Sequence, residues 1–302
     1  MGALHDEGLP GSVTRVVDAG GRGRITVLDT PGPLGAPTLV LLHGVTLDAA
    51  TNWSGALPAL APRFRVLTLD LRGHGAGPPA RVPYRLEDCA DDVAAVVHAL
   101  DVGPVVPVGY SMGGMVAQAF WRRHPGLTAG LVLCATARNV SGSPLEQLTA
   151  MGIPFAVGAL GWVPPAFPVG ADLVGARLLG DGLDGRVRRE VIARMRRMPL
   201  VTALAAMQAV CGFSSHRWIG GVDVPTAVVV ARHDRVVPPG RQWGLARAVP
   251  PASLVDVVEI DGDHDVFLDA PGTFARALVR ACRAVAPGGR GSDDTFDTEQ
   301  AG

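Results

Sequence analysis

The sequence predicts an α/β fold: a mostly parallel eight-stranded sheet with helices on both faces and a helical cap inserted after the sixth strand. Short, continuously apolar runs alternate with helical stretches, which is how strands buried on both faces of a parallel sheet read. That pattern stops once, for about 75 residues, and then resumes. At 302 residues and 48% hydrophobic content, the chain buries a core without help from disulfides or metal.

From Val13 to Leu28 two β-rich runs, VTRVVDA and RITVLDT, flank the turn GGRG and predict an opening antiparallel hairpin. Four apolar runs follow: TLVLLH (38–43), RVLTLD (65–70), PVVPVG (104–109) and GLVLCA (130–135). Pro107 in the third is an objection, because proline removes a ladder donor. Leu86 to Leu100 carries acidic residues in its first turns and apolar residues at 3–4 spacing, the pattern of a half-buried helix. Ser111 to His124 is a second helix, ended by Pro125-Gly126. After the interruption come PTAVVVA (225–231), a helix near Gly240–Ala248, SLVDVVEI (253–260) and a last helix from Pro271 to about Val285. The chain therefore divides into a core of two parts, 1–137 and 216–286, a cap at 138–215 and a Gly-rich tail at 287–302 that is expected to be disordered.

The cap opens with about 25 uncharged residues between Glu146 and Asp172, long enough to raise a transmembrane helix. Pro154, Pro164, Pro165 and Pro168 break that stretch, so short helices forming an apolar lid are expected instead. Phe155, Leu160, Trp162, Val163, Phe167 and Leu173 would supply lining without charge, or equally ordinary packing. Farther on, Arg186, Arg188, Arg189, Arg194, Arg196 and Arg197 are spaced like a solvated helix face.

A formal charge of -1 argues against nucleic acid and against an electrostatic membrane anchor. All 27 basic residues are Arg, which excludes a P-loop lysine and a Schiff-base lysine. Cys89, Cys134, Cys211 and Cys282 form no CxxC pair and read as small buried hydrophobes in a reducing compartment. The N-terminal segment has neither a basic n-region nor an apolar h-region, so a cytoplasmic location is expected. No metal and no cofactor is called for.

Gly109-Tyr110-Ser111-Met112-Gly113 lies where an apolar strand meets a helix, the context in which G-x-S-x-G presents a nucleophilic serine. Small residues at 109 and 113 let the strand and helix backbones approach. A serine needs a base, and His264, just beyond a late strand in EIDGDHDVF, emerges on the same sheet edge. His98 and His124 lie on predicted helices, and His74 in LRGHG reads as a loop-structuring residue. Asp234 in VVVARHDRVVPP follows a strand and is placed to orient the histidine. Asp261, Asp263 and Asp265 remain rivals by proximity to His264. Two aimed backbone N–H groups are needed for an oxyanion, and Met112 and Val45 are the expected donors. Substrate contacts are expected from His43, Tyr110, Phe155, Trp162 and Phe167.

HG at 43–44, DLRGHG at 70–75, GYSMGG at 109–114, RHDRVVPP at 232–239 and DGDHDVF at 261–267 together resemble the α/β-hydrolase superfamily. The likeness is to its bacterial esterase, haloperoxidase-like and carbon–carbon hydrolase members, and covers about residues 20–285. It implies the α/β-hydrolase fold and a cap over the active site. Serine at 111 departs from haloalkane dehalogenases and epoxide hydrolases, which use aspartate there. The expected activity is cleavage of a small to medium apolar carboxylic ester through an acyl-enzyme on Ser111. The same triad also serves carbon–carbon bond hydrolysis or perhydrolysis, and a ligand receptor on a hydrolase scaffold is a third reading.

Overall fold

In the computed structural model, residues 11–81, 83–140, 175, 179–180 and 182–286 are described. Eight strands form one sheet: β1 (Val13–Asp18), β2 (Arg24–Thr30), β3 (Thr38–Leu42), β4 (Arg65–Leu69), β5 (Val106–Tyr110), β6 (Leu131–Cys134), β7 (Thr226–Ala231) and β8 (Leu254–Ile260). Their order across the sheet is β1-β2-β4-β3-β5-β6-β7-β8. β1 pairs antiparallel with β2 and β2 with β4; every other pairing is parallel. This is the eight-stranded, mostly parallel sheet expected, with the opening hairpin forming its antiparallel edge.

The apolar runs are continuous because both faces of the sheet are covered. Val40 and Leu42 of β3 face one core with Val93 and Val97 of α3 (Leu86–Ala99) and Met115 and Phe120 of α4 (Met112–Arg123). Leu39 and Leu41, one residue out of phase, face the other. There they meet Trp53 of α1 (Ala49–Trp53), Leu57 and Leu60 of α2 (Leu57–Leu60), and the last helix. Pro107 sits in β5 without breaking the sheet: the ladder to β6 has its register from Val108 to Tyr110, after the proline.

Between β6 and β7 the described residues include two helices, α5 (Gly185–Met195) and α6 (Leu200–Gly212). Asp184 caps α5 by accepting from the Arg186 and Val187 amides. Two arginines read as a solvated face instead turn back onto the protein. Arg188 donates to the Leu179 and Gly180 carbonyls, and Arg194 pairs with Asp48 at the start of α1. The proline-broken stretch, with Phe155, Trp162 and Phe167, and the tail at 287–302 lie outside the described residues. Among those residues no helix is long and apolar enough to cross a membrane.

The chain closes with α7 (Pro239–Ala246), α8 (Val266–Asp269) and α9 (Pro271–Val285). Phe274, Leu278, Ala281 and Val285 recur every three to four residues on the buried side of α9, the spacing of an amphipathic helix. Phe274 also completes an aromatic cluster beneath the carboxyl edge of the sheet. Its ring stacks on Trp53 at 6.0 Å and meets Tyr110 edge-on at 5.5 Å, while Phe267 lies edge-on to Tyr110 at 5.0 Å. Each such pair contributes about 0.5–1.5 kcal/mol beyond its burial. The cluster ties the end of α1 and the end of β5 to α8 and α9.

Candidate active site

Ser111 follows β5 directly and holds φ 53° and ψ -116°, a conformation a side-chain-bearing residue rarely takes. Such a residue costs about 1–3 kcal/mol and persists only when its surroundings over-determine it. They do so here. The Ser111 amide donates to the Cys134 carbonyl at 2.9 Å, and its carbonyl accepts from the Gly114 amide at 3.0 Å and the Thr136 hydroxyl at 2.7 Å. The flanking glycines are required by space: a Cβ at Gly109 would strike the Gly113 backbone, and one at Gly113 would strike the Leu42 carbonyl.

His264 stands in the loop after β8 with Nε2 3.1 Å from Ser111 Oγ. Its Nδ1 lies 2.8 Å from Oδ2 of Asp234, in the loop after β7. Asp234 is buried, and ring Nδ1–H donating to it leaves Nε2 as the acceptor that faces the serine hydroxyl. Asp234 Oδ1 accepts from the Val236 and Val237 amides at 2.8 and 2.7 Å, and Oδ2 also accepts from the Gln242 side-chain amide at 3.0 Å. Three donors besides the imidazole thus fix this carboxylate.

None of the three rival aspartates reaches the imidazole. Asp261 pairs with the exposed His233. Asp263 accepts from Arg235, main chain and side chain, and from the His264 amide at 2.7 Å, so it pins the loop after β7 to the loop after β8. Burial alone would raise its pKa; the hydrogen bonds from Arg235 and His264 outweigh that and hold it below the usual carboxylate value. Asp265 turns inward and accepts from the Gly180 amide at 2.7 Å.

The Val45 amide and the Met112 amide have no acceptor among the described residues. Met112 opens α4, so its N–H is one of the unpaired donors at the positive end of a helix. Val45 sits on the loop after β3, which is fixed by the Gly44 amide donating to Asn52 Oδ1 at 2.9 Å. A small cavity of about 10 Å³ adjoins Ser111 and His264, bounded by Val45, Leu47, Leu179 and Phe267. That is space for about one water molecule. Leu47 also lines a larger cavity of about 730 Å³ bordered by Asp48, Asp70, His74 and Arg194, which does not include Ser111 or His264.

Two expected substrate contacts need correction. His43 is fully buried, with Nδ1–H donating to the Gly44 carbonyl at 2.8 Å and Nε2 accepting from the Leu71 amide at 2.9 Å. Burial depresses its pKa to about 4, so it is a neutral structural link under the loop after β3. Tyr110 is also buried, and its hydroxyl donates to the His264 carbonyl. Both residues support the site from beneath. Phe155, Trp162 and Phe167 cannot be placed, being outside the described residues. Gln242, Thr136 and Asn52 escaped the sequence reading, since a polar residue on a buried face carries no mark of which atom it will serve. Among the described residues no group of three or more His, Cys, Asp or Glu could hold a metal ion.

The model of the Alpha/beta hydrolase family matches residues 39–277, from β3 into α9. The chain belongs to the alpha/beta hydrolase family. It is 30% identical over 249 residues to the pimeloyl-[acyl-carrier protein] methyl ester esterase of Chromobacterium violaceum, covering 80% of this chain and 93% of that protein. Among solved structures, a thermophilic esterase from Thermogutta terrifontis shares 28% identity at a TM-score of 0.72, over 91% of this chain and 99% of that one. The enol-lactonase from Burkholderia xenovorans shares 25% at 0.71, over 88% and 98%. This α/β hydrolase is therefore an enzyme, and a hydrolase.

Proposed function

We propose that this α/β hydrolase is a serine esterase acting on a small to medium carboxylic ester with an apolar body. The observation that carries the reading is the unbroken hydrogen-bond chain Ser111–His264–Asp234 beside two backbone amides that have no acceptor among the described residues. Ser111 Oγ attacks the ester carbonyl as His264 Nε2 takes its proton, with Asp234 stabilising the imidazolium. The Val45 and Met112 amides hydrogen-bond the tetrahedral oxyanion. Collapse expels the alcohol, which leaves with the proton from His264. Water, activated by the same histidine, then hydrolyses the acyl group from Ser111.

An apolar substrate is supported by Leu47, Leu179 and Phe267 around the small cavity, and an ester by the esterases among the relatives. Carbon–carbon hydrolysis of an acidic substrate would ask for a guanidinium facing the site. Arg188 is engaged with main-chain carbonyls and Arg194 with Asp48, so neither favours it.

The test is a series of p-nitrophenyl esters from two to twelve carbons, together with a fluorophosphonate probe. Turnover and labelling that both disappear in Ser111→Ala are expected. Turnover of no ester would remove the esterase label, and labelling that survives Ser111→Ala would remove the nucleophile.

A further inference from the structure

Asp265 follows His264 and takes no part in the hydrogen-bond chain to Ser111, yet it is 2% exposed, which an acidic residue rarely is without a task. Its Oδ2 accepts the Gly180 amide at 2.7 Å. Burial pushes its pKa up, with the Gly180 amide pulling the other way. Gly180 lies in the connection between β6 and α5, and Arg188 of α5 donates to its carbonyl at 3.0 Å and to that of Leu179 at 3.4 Å. The dipeptide Leu179-Gly180 is thus gripped from both sides: its amide by the base loop, its carbonyls by α5. Glycine suits the position, since a Cβ there would stand 3.2 Å from Asp265 Oδ1. Leu179 itself is buried and bounds the cavity beside Ser111 together with Leu47 and Phe267.

We propose that Asp265 is a specificity-determining positioning residue: by holding the Gly180 amide it seats Leu179 against Ser111 and limits the length of alkyl chain that can lie beside the nucleophile. The inference rests on the esterase reading of the same site. The space beside Ser111 holds about one water, and Leu179 is one of its four apolar walls with Val45, Leu47 and Phe267. Leu47 and Phe267 are carried by core loops next to α1 and by α8. Leu179 is held by its own amide donating to the Gly175 carbonyl at 2.9 Å and, through the Gly180 amide and two carbonyls, by the side chains of Asp265 and Arg188.

The test compares labelling rates of the full chain with a methyl and an octyl alkylfluorophosphonate, the readout being the octyl-to-methyl ratio. Asp265→Ala and Leu179→Ala should each raise that ratio tenfold or more, and the double variant should not exceed Leu179→Ala alone. Asp265→Asn, whose amide oxygen can still accept the Gly180 N–H, should stay within about threefold of the parent ratio. A general loosening of the fold would slow both probes together and leave the ratio where it was. If Asp265→Ala fails to fold, Gly180→Pro deletes the same N–H and carries the same expectation. An unchanged ratio in the Asp265 and Gly180 variants, or in Leu179→Ala, overturns the inference while leaving the esterase reading intact. A parent chain that neither probe labels overturns the esterase reading, and the inference falls with it.

Discussion

The Tyr110 hydroxyl donates to the main-chain oxygen of His264 at 2.7 Å, so the residue before Ser111 holds the residue whose imidazole faces the Ser111 hydroxyl. The bond is fully buried and spans the end of β5 and the loop after β8. Tyr110→Phe keeps the ring in its aromatic cluster and leaves the His264 carbonyl without that donor. A stability loss of about 1–2 kcal/mol is expected, since an abandoned buried acceptor costs that much. If the bond also sets the imidazole, kcat should fall several-fold with KM little changed. Thermal unfolding and ester kinetics on the same preparation separate the two effects.

The carboxylate behind His264 invites a graded series. Asp234→Asn should lower kcat by about 10⁴, through the wrong imidazole tautomer rather than through misfolding. Gln242→Leu removes one of two donors to Asp234 Oδ2 and also the acceptor for the Ala231 amide, so a loss of about tenfold with some destabilisation is expected. Asp261→Asn, changing an exposed partner of His233, should leave kcat within about twofold. A large loss in Asp261→Asn would reopen the choice of acid.

Thr136 tests how the strained serine is held. Its hydroxyl reaches the Ser111 carbonyl from the loop after β6, so Thr136→Val conserves shape and removes one of the bonds that stabilise the positive φ. A loss of about 1–2 kcal/mol is expected from the buried hydrogen bond. Fluorophosphonate labelling should slow in step if the elbow relaxes. An unchanged labelling rate at reduced Tm would mean that the remaining Cys134 and Gly114 contacts suffice.

Much of this fold was legible because its signals are local. The strands from β3 to β7 are short, mostly apolar runs, and Ser111, Asp234 and His264 follow β5, β7 and β8, where a parallel sheet brings them to one edge. What escaped depends on distance in the chain. Nothing near Gln242 marks it as the partner of Asp234, and nothing near Thr136 points to Ser111. His43 misled because a histidine next to the loop after β3 resembles a site residue; its two ring nitrogens are instead consumed by Gly44 and Leu71. The helices α1, α2 and α8 were missed because four or five residues carry too little periodicity to read. Asp234 was favoured over its three rivals by its place after a strand, and it is the aspartate whose carboxylate meets His264 Nδ1.

A pair of buried histidines makes acid stability a sharp test of this packing. His43 and His74 stand with ring centroids 5.0 Å apart. Burial depresses the pKa of His43 to about 4; burial, and then the neighbouring His43, depress that of His74 to about 3. Both rings are neutral in the folded protein, with His43 Nε2 needed as the acceptor of the Leu71 amide. An unfolded chain takes up protons at these sites below about pH 6.5, whereas the folded chain refuses them until near pH 4. Their contribution is therefore complete above pH 6.5 and is lost as the pH falls, by about 2 kcal/mol per histidine at pH 5. Urea unfolding at pH 8, 6.5 and 5 should show a level stretch followed by a decline. His74→Phe should begin lower, having lost the Nδ1–H bond to the Arg72 carbonyl, and decline less steeply between pH 6.5 and 5. An equal slope in the variant would show that His74 does not carry its share, and that the acid sensitivity belongs to other groups.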